Sequence, residues 1–250
     1  KEDKHKFEEV ISKLENFSFE DDKNTVTTAE NFLKLLKSYF KLSTKLAAYG
    51  RLTVSVDANN EKALKMIEIL EKEMIRTTKP LVNFQIWLCE IENRKKLFEE
   101  SDLLSEHAFL IEELVEKSKY LLSENEEEII AKMKQTGSSA WTKLQEKLTS
   151  NLKVFITIEG EEKELPLPVV RNMAHKKDPE IRRKAYDAEL ESYKKIEESV
   201  AAALNGIKGE VLTLTERRGY DSPLEESLKD SRLNKETLDA LLQAIEEKLP

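Results

Sequence analysis

One run of apolar residues constrains the fold of this chain more than any other feature. Along it, each apolar residue lies three or four positions after the last, so all of them share one face of an α-helix. Asp178-Pro179 before the run is typical of a helix start, and Arg217-Arg218-Gly219 after it is typical of a helix end. The pattern predicts one helix of about 40 residues and about 60 Å, longer than a small domain is wide. This apolar stripe consists of Tyr186, Leu190, Tyr193, Ile196, Val200, Leu204, Ile207, Val211 and Leu214.

Composition favours an all-helical protein. The 250 residues include 6 glycines and 6 prolines, the two residue types that helices disfavour, and 39% are hydrophobic, which suffices for a sizeable core. The net charge is −8, and the basic residues are scattered among acidic ones. This argues against a nucleic-acid partner, because phosphate binding needs clustered cations.

The sequence also bears on the compartment. Cys89 is the one cysteine, so no intramolecular disulfide can form, and a reducing, cytoplasmic location is expected. No apolar run approaches the roughly 20 residues of a membrane-spanning helix. The first residues, Lys1-Glu2-Asp3-Lys4, do not resemble a signal peptide. We therefore expect no membrane partner.

Helical periodicity recurs before the stripe. Thr27-Thr28-Ala29-Glu30 predicts a capping box, and the helix that it opens keeps its apolar phase through residues 51–56, for which a short strand is the alternative. Pro80 lies inside the next helical run, 61–92, and predicts a kink or break near Lys79. These two long helices should form an antiparallel pair. The remaining predictions are a helix over 3–16, a polar connection over 16–23, short helices within 93–122, a helix from Ser123 that is interrupted at 137–139, and short helices that begin at Ser222 and Asn234.

One β-hairpin is predicted between the helices. Residues 154–158 and 163–167 are strand-like segments on either side of a turn at Glu159-Gly160, and Pro166 and Pro168 limit the second strand to a sheet edge. The predicted fold class is therefore all-α, with mainly long antiparallel helices and one small β-hairpin. Because helices give way to the hairpin near residue 150, we expect two domains, 1–150 and 151–250.

A set of residues around and beyond the stripe resembles a known family. The set is Arg171-Asn172, Asp178, Arg182-Arg183, Ala185-Tyr186, Ala203-Leu204-Asn205, Arg218-Gly219-Tyr220 and Ser222-Pro223-Leu224-Glu225. It is similar to the zinc oligopeptidases of the thimet oligopeptidase and oligoendopeptidase F group, and more closely to oligoendopeptidase F, a bacterial enzyme. The similarity covers nearly all of the chain but only the front part of that enzyme.

The resemblance implies a metalloendopeptidase that hydrolyses peptide bonds in short, unstructured oligopeptides within a deep channel. In this family zinc is held by two histidines of an HExxH helix and by a downstream glutamate, and the motif glutamate serves as the base. HExxH is absent from these 250 residues. The resemblance therefore implies that 1–150 is an N-terminal lobe, that 151–250 begins the catalytic lobe, and that the zinc ligands lie outside this chain. No catalytic or metal-binding residue is predicted here, and no substrate-binding residue can be named.

The spacing of the histidines agrees with this. A helical zinc pair needs ligands three or four residues apart, and His5, His107 and His175 have no such partners; a composite site from distant segments is the alternative. We interpret His107 as a partly exposed helix residue and His175 as a solvated turn residue. Cys89, beside Trp87, is interpreted as a small buried hydrophobe rather than a catalytic thiol.

Other conspicuous residues also have structural interpretations. Glu126-Glu127-Glu128 and Glu161-Glu162 are interpreted as solvated faces, and Trp141 as a core residue. Gly206 and Gly209 lie inside the predicted long helix, where each glycine costs about 1 kcal/mol against alanine. Close packing of another helix is the favoured explanation, and a bending point between two lobes is the alternative.

Two functions remain open from the sequence. Long amphipathic helices and acidic charge suit part of a peptidase, and they equally suit a non-catalytic helical scaffold or peptide-binding module. An HExxH helix further along the reading frame would distinguish them. The apolar stripe from Tyr186 to Leu214 is too long to be covered within these 250 residues, so we expect them to self-associate or to use the free face in crystal contacts. The last predicted helix adds a second apolar face, which consists of Leu238, Leu241, Leu242 and Ile245.

Overall fold

The computed structural model describes residues 2–19, 24–57 and 60–249. Within these ranges the regular structure is helical except for one antiparallel pair of strands, so the predicted fold class is confirmed. The chain divides into two compact units, with the boundary between Gln135 and Thr136. No helix in the described ranges is long and apolar enough to cross a membrane.

The first unit is built from helices joined by short connections. Its elements are α1 (Glu2–Glu15), α2 (Thr25–Val56), α3 (Glu61–Ile75), α4 (Thr78–Glu90), α5 (Arg94–Glu100), α6 (Asp102–Glu106), α7 (Ala108–Lys117), a 3-10 turn (Ser118–Tyr120) and α8 (Glu124–Thr136), whose last residue crosses the boundary.

The core of the first unit is aromatic and aliphatic. Phe7, Ile11 and Leu14 share one face of α1 and are fully buried. Phe32 of α2 and Phe84 of α4 stack with their ring centroids 4.3 Å apart. Each such side chain contributes about 1.5–3 kcal/mol when it leaves water, so these contacts hold α1, α2 and α4 together.

The second helix begins earlier than the sequence predicts. The Asn24 side chain accepts a hydrogen bond from the backbone N–H of Thr27 at 3.1 Å, so Asn24 is the N-cap and the predicted start at Thr27 is wrong. The predicted box residue, Glu30, instead accepts hydrogen bonds from Lys34 and Ser101. The helix continues through residue 56, which confirms the helical interpretation of 51–56.

The predicted helical run over 61–92 is interrupted, as expected, and forms the two helices α3 and α4. The break falls at residues 76–77, slightly before the predicted position, and Pro80 therefore lies in the first turn of α4, where no intrahelical partner is lost. Arg76 at this corner donates hydrogen bonds to Glu15 of α1 and to Glu73 of α3, and these two carboxylates raise its pKa. The corner is thus tied to α1.

The second unit combines the hairpin with further helices. Its elements are α9 (Ser138–Ser150), β1 (Lys153–Ile158), β2 (Glu161–Pro166), α10 (Leu167–Asn172), a 3-10 turn (Met173–His175), α11 (Pro179–Tyr193), α12 (Glu197–Arg218), α13 (Pro223–Asp230) and α14 (Lys235–Glu246).

The predicted hairpin is confirmed. β1 and β2 pair antiparallel, with Ile158 opposite Glu161. The two turn residues, Glu159 and Gly160, have φ angles of 53° and 82°, as a two-residue hairpin turn requires. Alternate residues of β1 point into a small core, which consists of Leu152, Val154, Ile156, Leu167, Val170, Met173 and Ala185.

The predicted 40-residue helix is two helices, so the expectation of one continuous helix is wrong. Residues 194–196 form a turn between α11 and α12. Its hydrogen bonds span three residues: the N–H of Lys195 donates to the Ser192 carbonyl, and the N–H of Ile196 to the Tyr193 carbonyl. Tyr193 and Ile196 pack against the core below β1. The spacing of apolar residues in the sequence does not reveal this contact with the core.

Small residues, rather than the apolar stripe, form the most buried face of these two helices. Tyr186, Leu190 and Leu204 of the stripe are 60%, 47% and 53% exposed. Small side chains let a neighbouring element approach the helix backbone closely. The buried ones are Ala185, Ser192, Ala203 and Thr215.

Helix α9 packs against α12 within the second unit. The Trp141 ring lies over Gly206 so closely that a Cβ there would stand 2.6 Å from the indole Nε1, whereas a Cβ at Gly209 would meet nothing within 4 Å. Glu210 of α12 accepts hydrogen bonds from the N–H and hydroxyl of Ser138, at 2.8 and 2.7 Å. These contacts give Gly206 a packing role. They also place α9 in the second unit, while the division into domains at residue 150 stays a prediction.

Candidate functional site

The three histidines lie on separate elements. His5 lies on α1, with its Nε2 3.2 Å from the Glu9 carboxylate. His107 follows α6, with its Nδ1 2.9 Å from the Leu103 carbonyl. His175 is exposed at the end of a 3-10 turn. Among the residues that the structure describes, no group of three or more His, Cys, Asp or Glu side chains could hold a metal ion. These residues therefore do not fit a zinc site.

The cysteine does not have the predicted environment. Cys89 is exposed, so its interpretation as a buried hydrophobe is wrong. Its neighbour Leu88 lies on the buried face of α4, so Cys89 points outward. The thiol donates to the Ser118 hydroxyl at 2.9 Å, and that hydroxyl donates to the Val115 carbonyl at 2.7 Å. Cys89 thus joins α4 to the end of α7.

The acidic run before α8 also differs in part from its interpretation. Ser123 and Glu126 form a capping box at the predicted start of this helix, with the Ser123 N–H 3.0 Å from the Glu126 carboxylate. Glu127 is buried, however, and accepts a hydrogen bond from the N–H of Leu122 at 3.0 Å, so a solvated role for this residue is wrong. A backbone N–H that needs a partner explains why a carboxylate is buried there.

A polar cluster in the second unit includes one residue of the family resemblance. Arg171 Nε donates to the Glu189 carboxylate at 2.7 Å, and another guanidinium nitrogen donates to the Tyr193 hydroxyl, which donates to Glu189. Burial alone would raise the pKa of Glu189, but the hydrogen bonds from Tyr193 and Arg171 outweigh it and lower this pKa. Burial, and next the Glu189 carboxylate, raises the pKa of Tyr193. The cluster fixes α10 on α11, a structural role that sequence spacing did not reveal.

Among the described residues, two of the concave surfaces deserve comparison as ligand sites. The smaller, of about 260 Å³, lies between β1 and the end of α11 in the second unit, where the Lys195 ammonium stands 4.5 Å from the centroid of the Phe155 ring. Ligand sites usually measure roughly 300–1,000 Å³, so this cavity is small for one.

The larger surface is a groove beside α4 in the first unit, with a volume of about 850 Å³. We call it the α4 groove. The groove was not predicted, because Phe17 and Phe19, which line it, lie in a segment interpreted as a polar connection; two phenylalanines in such a segment were the available signal. The remaining residues that line it are Ser18, Thr25, Asn83, Ile86, Trp87, Glu90, Ile91 and Glu92.

Comparisons with known proteins relate this architecture to a class of enzymes. Residues 86–153 match the family model described as Oligopeptidase F. The crystal structure of oligoendopeptidase-F from Enterococcus faecium superposes with a TM-score of 0.81 at 17% identity, over 98% of this chain and 50% of that one. PZ peptidase A, solved with an inhibitor, superposes with a TM-score of 0.64 at 15% identity, over 98% of this chain and 41% of that one. A search of curated proteins gives no match.

The fold is therefore one that solved helical peptidases share. The particular family that the sequence resembles, oligoendopeptidase F, is also the one whose model matches residues 86–153 and to which the superposed Enterococcus faecium structure belongs. The chain spans about half the length of the Enterococcus faecium structure that it matches.

Proposed function

We propose that this chain is the N-terminal part of a zinc-dependent, bacterial and cytoplasmic oligoendopeptidase that hydrolyses peptide bonds in short peptides. The observation that supports this is the fold shared with oligoendopeptidase-F over 98% of the chain, together with the family match at 86–153. Because the chain covers half of that structure, the activity is assigned to the complete enzyme.

Within that enzyme, the proposed role of these residues is to wall the substrate channel. The α4 groove supports this role, because it is a concave surface of a size that could hold part of a peptide. The described residues do not fit zinc, so we place the metal ligands outside this chain and assign no catalytic step to its residues.

The proposal is tested with the complete protein and the 250-residue chain side by side. A quenched fluorescent peptide of about eight residues and a folded protein serve as substrates. The complete protein should cleave only the peptide, lose activity with a chelator and regain it with zinc, while the 250-residue chain should cleave neither.

Calorimetric zinc titration of the 250-residue chain adds a second readout. Stoichiometric binding at micromolar affinity or better would show a metal site among its own residues and contradict the proposal. A folded complete protein that cleaves no peptide would overturn the enzymatic function and favour a scaffold or peptide-binding module.

A further inference from the structure

The floor of the α4 groove is a set of aromatic rings continuous with the core. The Phe19 ring lies 5.4 Å from that of Trp87 and 6.0 Å from that of Phe84, and the Phe17 ring lies 5.0 Å from that of Phe32. Phe32 and Phe84 are buried core residues. The floor is thus held in place before any ligand arrives, so an apolar side chain could bind there with little ordering of the protein.

One end of the groove carries two exposed carboxylates. Glu90 ends α4 and Glu92 follows it; both are exposed, and neither forms an ion pair within the described part of the chain. The C-terminus of a helix is itself partially negative, and the last turn of α4 contains no basic residue. Arg94, close by in sequence, donates to the Ile91 carbonyl. A basic group from a ligand would relieve this repulsion.

The other end offers an unused amide. Asn83 lines the groove and is half-buried, and its side chain makes no hydrogen bond to any described residue. A side-chain amide presents one acceptor and two donor hydrogens, which match the carbonyl and N–H groups of a peptide backbone. The residues of α4 that line the groove include Asn83, Trp87 and Glu90, which lie on one face because they are spaced four and three positions apart.

The spacing along this face matches an extended peptide. Seven residues of helix from Asn83 to Glu90 span about 10 Å, which is the length of about three residues of extended chain. A peptide whose backbone binds at Asn83 would therefore place one side chain over Trp87 and a later one beside Glu90.

We propose that the α4 groove binds a short extended peptide with an apolar side chain on the aromatic floor and a basic side chain at Glu90 and Glu92. It would favour peptide substrates that carry an apolar residue shortly before a lysine or arginine. The choice of a peptide ligand rests on the proposed function, whereas the charge and shape of the groove do not.

Binding is measured by calorimetry on the 250-residue chain with three blocked pentapeptides: Ala-Phe-Ala-Arg-Ala, Ala-Phe-Ala-Glu-Ala and Ala-Ala-Ala-Arg-Ala. The first should bind more tightly than the other two. The double variant Glu90→Gln/Glu92→Gln should weaken binding of the first peptide by about fivefold, as expected for the loss of two exposed ion pairs. Asn83→Ala should weaken all three peptides.

The matched control is Glu99→Gln/Glu106→Gln, which removes the same charge from two exposed carboxylates that do not line the groove. It should leave all affinities unchanged, and circular dichroism should show that every variant is folded. Equal binding of the arginine and glutamate peptides, or equal weakening by both double variants, would overturn the proposal. Groove binding without cleavage by the complete protein would refute only the enzymatic function, and cleavage without groove binding would refute only this inference.

Discussion

Replacing Gly206 with alanine should destabilise the second unit, although alanine is the better helix former. A Cβ at Gly206 would stand 2.6 Å from Nε1 and 2.9 Å from Cδ1 of Trp141, distances at which the ring must move. Overpacking of this kind costs about 1–3 kcal/mol. The exchange of glycine for alanine within a helix raises the free energy of unfolding by about 1 kcal/mol. The net loss in the free energy of unfolding should therefore be about 1 kcal/mol.

The same helix contains the matched control. Gly209 is three residues further along α12, and a Cβ there would meet nothing within 4 Å. Gly209→Ala should therefore gain the helical preference without the clash and stabilise the protein by about 1 kcal/mol. Two identical chemical changes one turn apart should thus have opposite signs.

Urea unfolding followed by far-ultraviolet circular dichroism measures both variants. A third measurement isolates the clash: in a Trp141→Ala background, Gly206→Ala should become stabilising, because the ring that it would meet is gone. Trp141 is 36% exposed, so partial rotation of its ring toward solvent would reduce the cost of the clash. If Gly206→Ala stabilises the protein as much as Gly209→Ala while Trp141 is present, the packing argument is wrong.

Three further predictions follow from the second unit. Asp178→Ala should lower stability by about 1 kcal/mol, since it removes the N-cap of α11; a shift of only a few tenths in the value from denaturant unfolding would contradict this. The lowered pKa of Glu189 gives stability that is present above its ordinary value of 4.5 and lost as pH falls through the folded value, so Arg171→Met should cost more at pH 7 than at pH 3; a cost independent of pH would argue against the cluster. Because Leu241 and Ile245 of α14 are exposed, light scattering should show self-association of these 250 residues, and a monodisperse monomer that binds no hydrophobic dye would refute it.

Helix ends and the hairpin turn were largely predictable because their causes are local. Asp178 accepts a hydrogen bond from the N–H of Glu180 at 2.9 Å, Ser222 from that of Glu225 at 3.1 Å, and Asn234 from that of Thr237 at 2.8 Å. Each cap acts on a backbone group two or three residues away, so both partners are visible in one short stretch of sequence. The stop at Gly219, with φ of 83°, is equally local.

The α4 groove was not predictable, because its two sides come from distant parts of the chain. Phe17 and Phe19 reach it from the connection after α1, and Trp87 reaches it from α4. Nothing in the local sequence of either segment indicates that they meet. The family resemblance did not help, because the residues that carry it begin at Arg171, in the other unit.

The long helix failed as a prediction for a different physical reason. The spacing of hydrophobic residues predicted that the face with Tyr186 and Leu204 would be buried. In the structure these two side chains are more than half exposed. Packing also depends on how closely two backbones can approach, and there the smallest side chains have the advantage: Ala203 is buried on α12, and Gly206 receives the ring of Trp141. Both patterns recur at helical spacing, so the sequence offers two candidate core faces. For α12, the position of α9 determines which of the two faces is buried, and that position depends on tertiary packing.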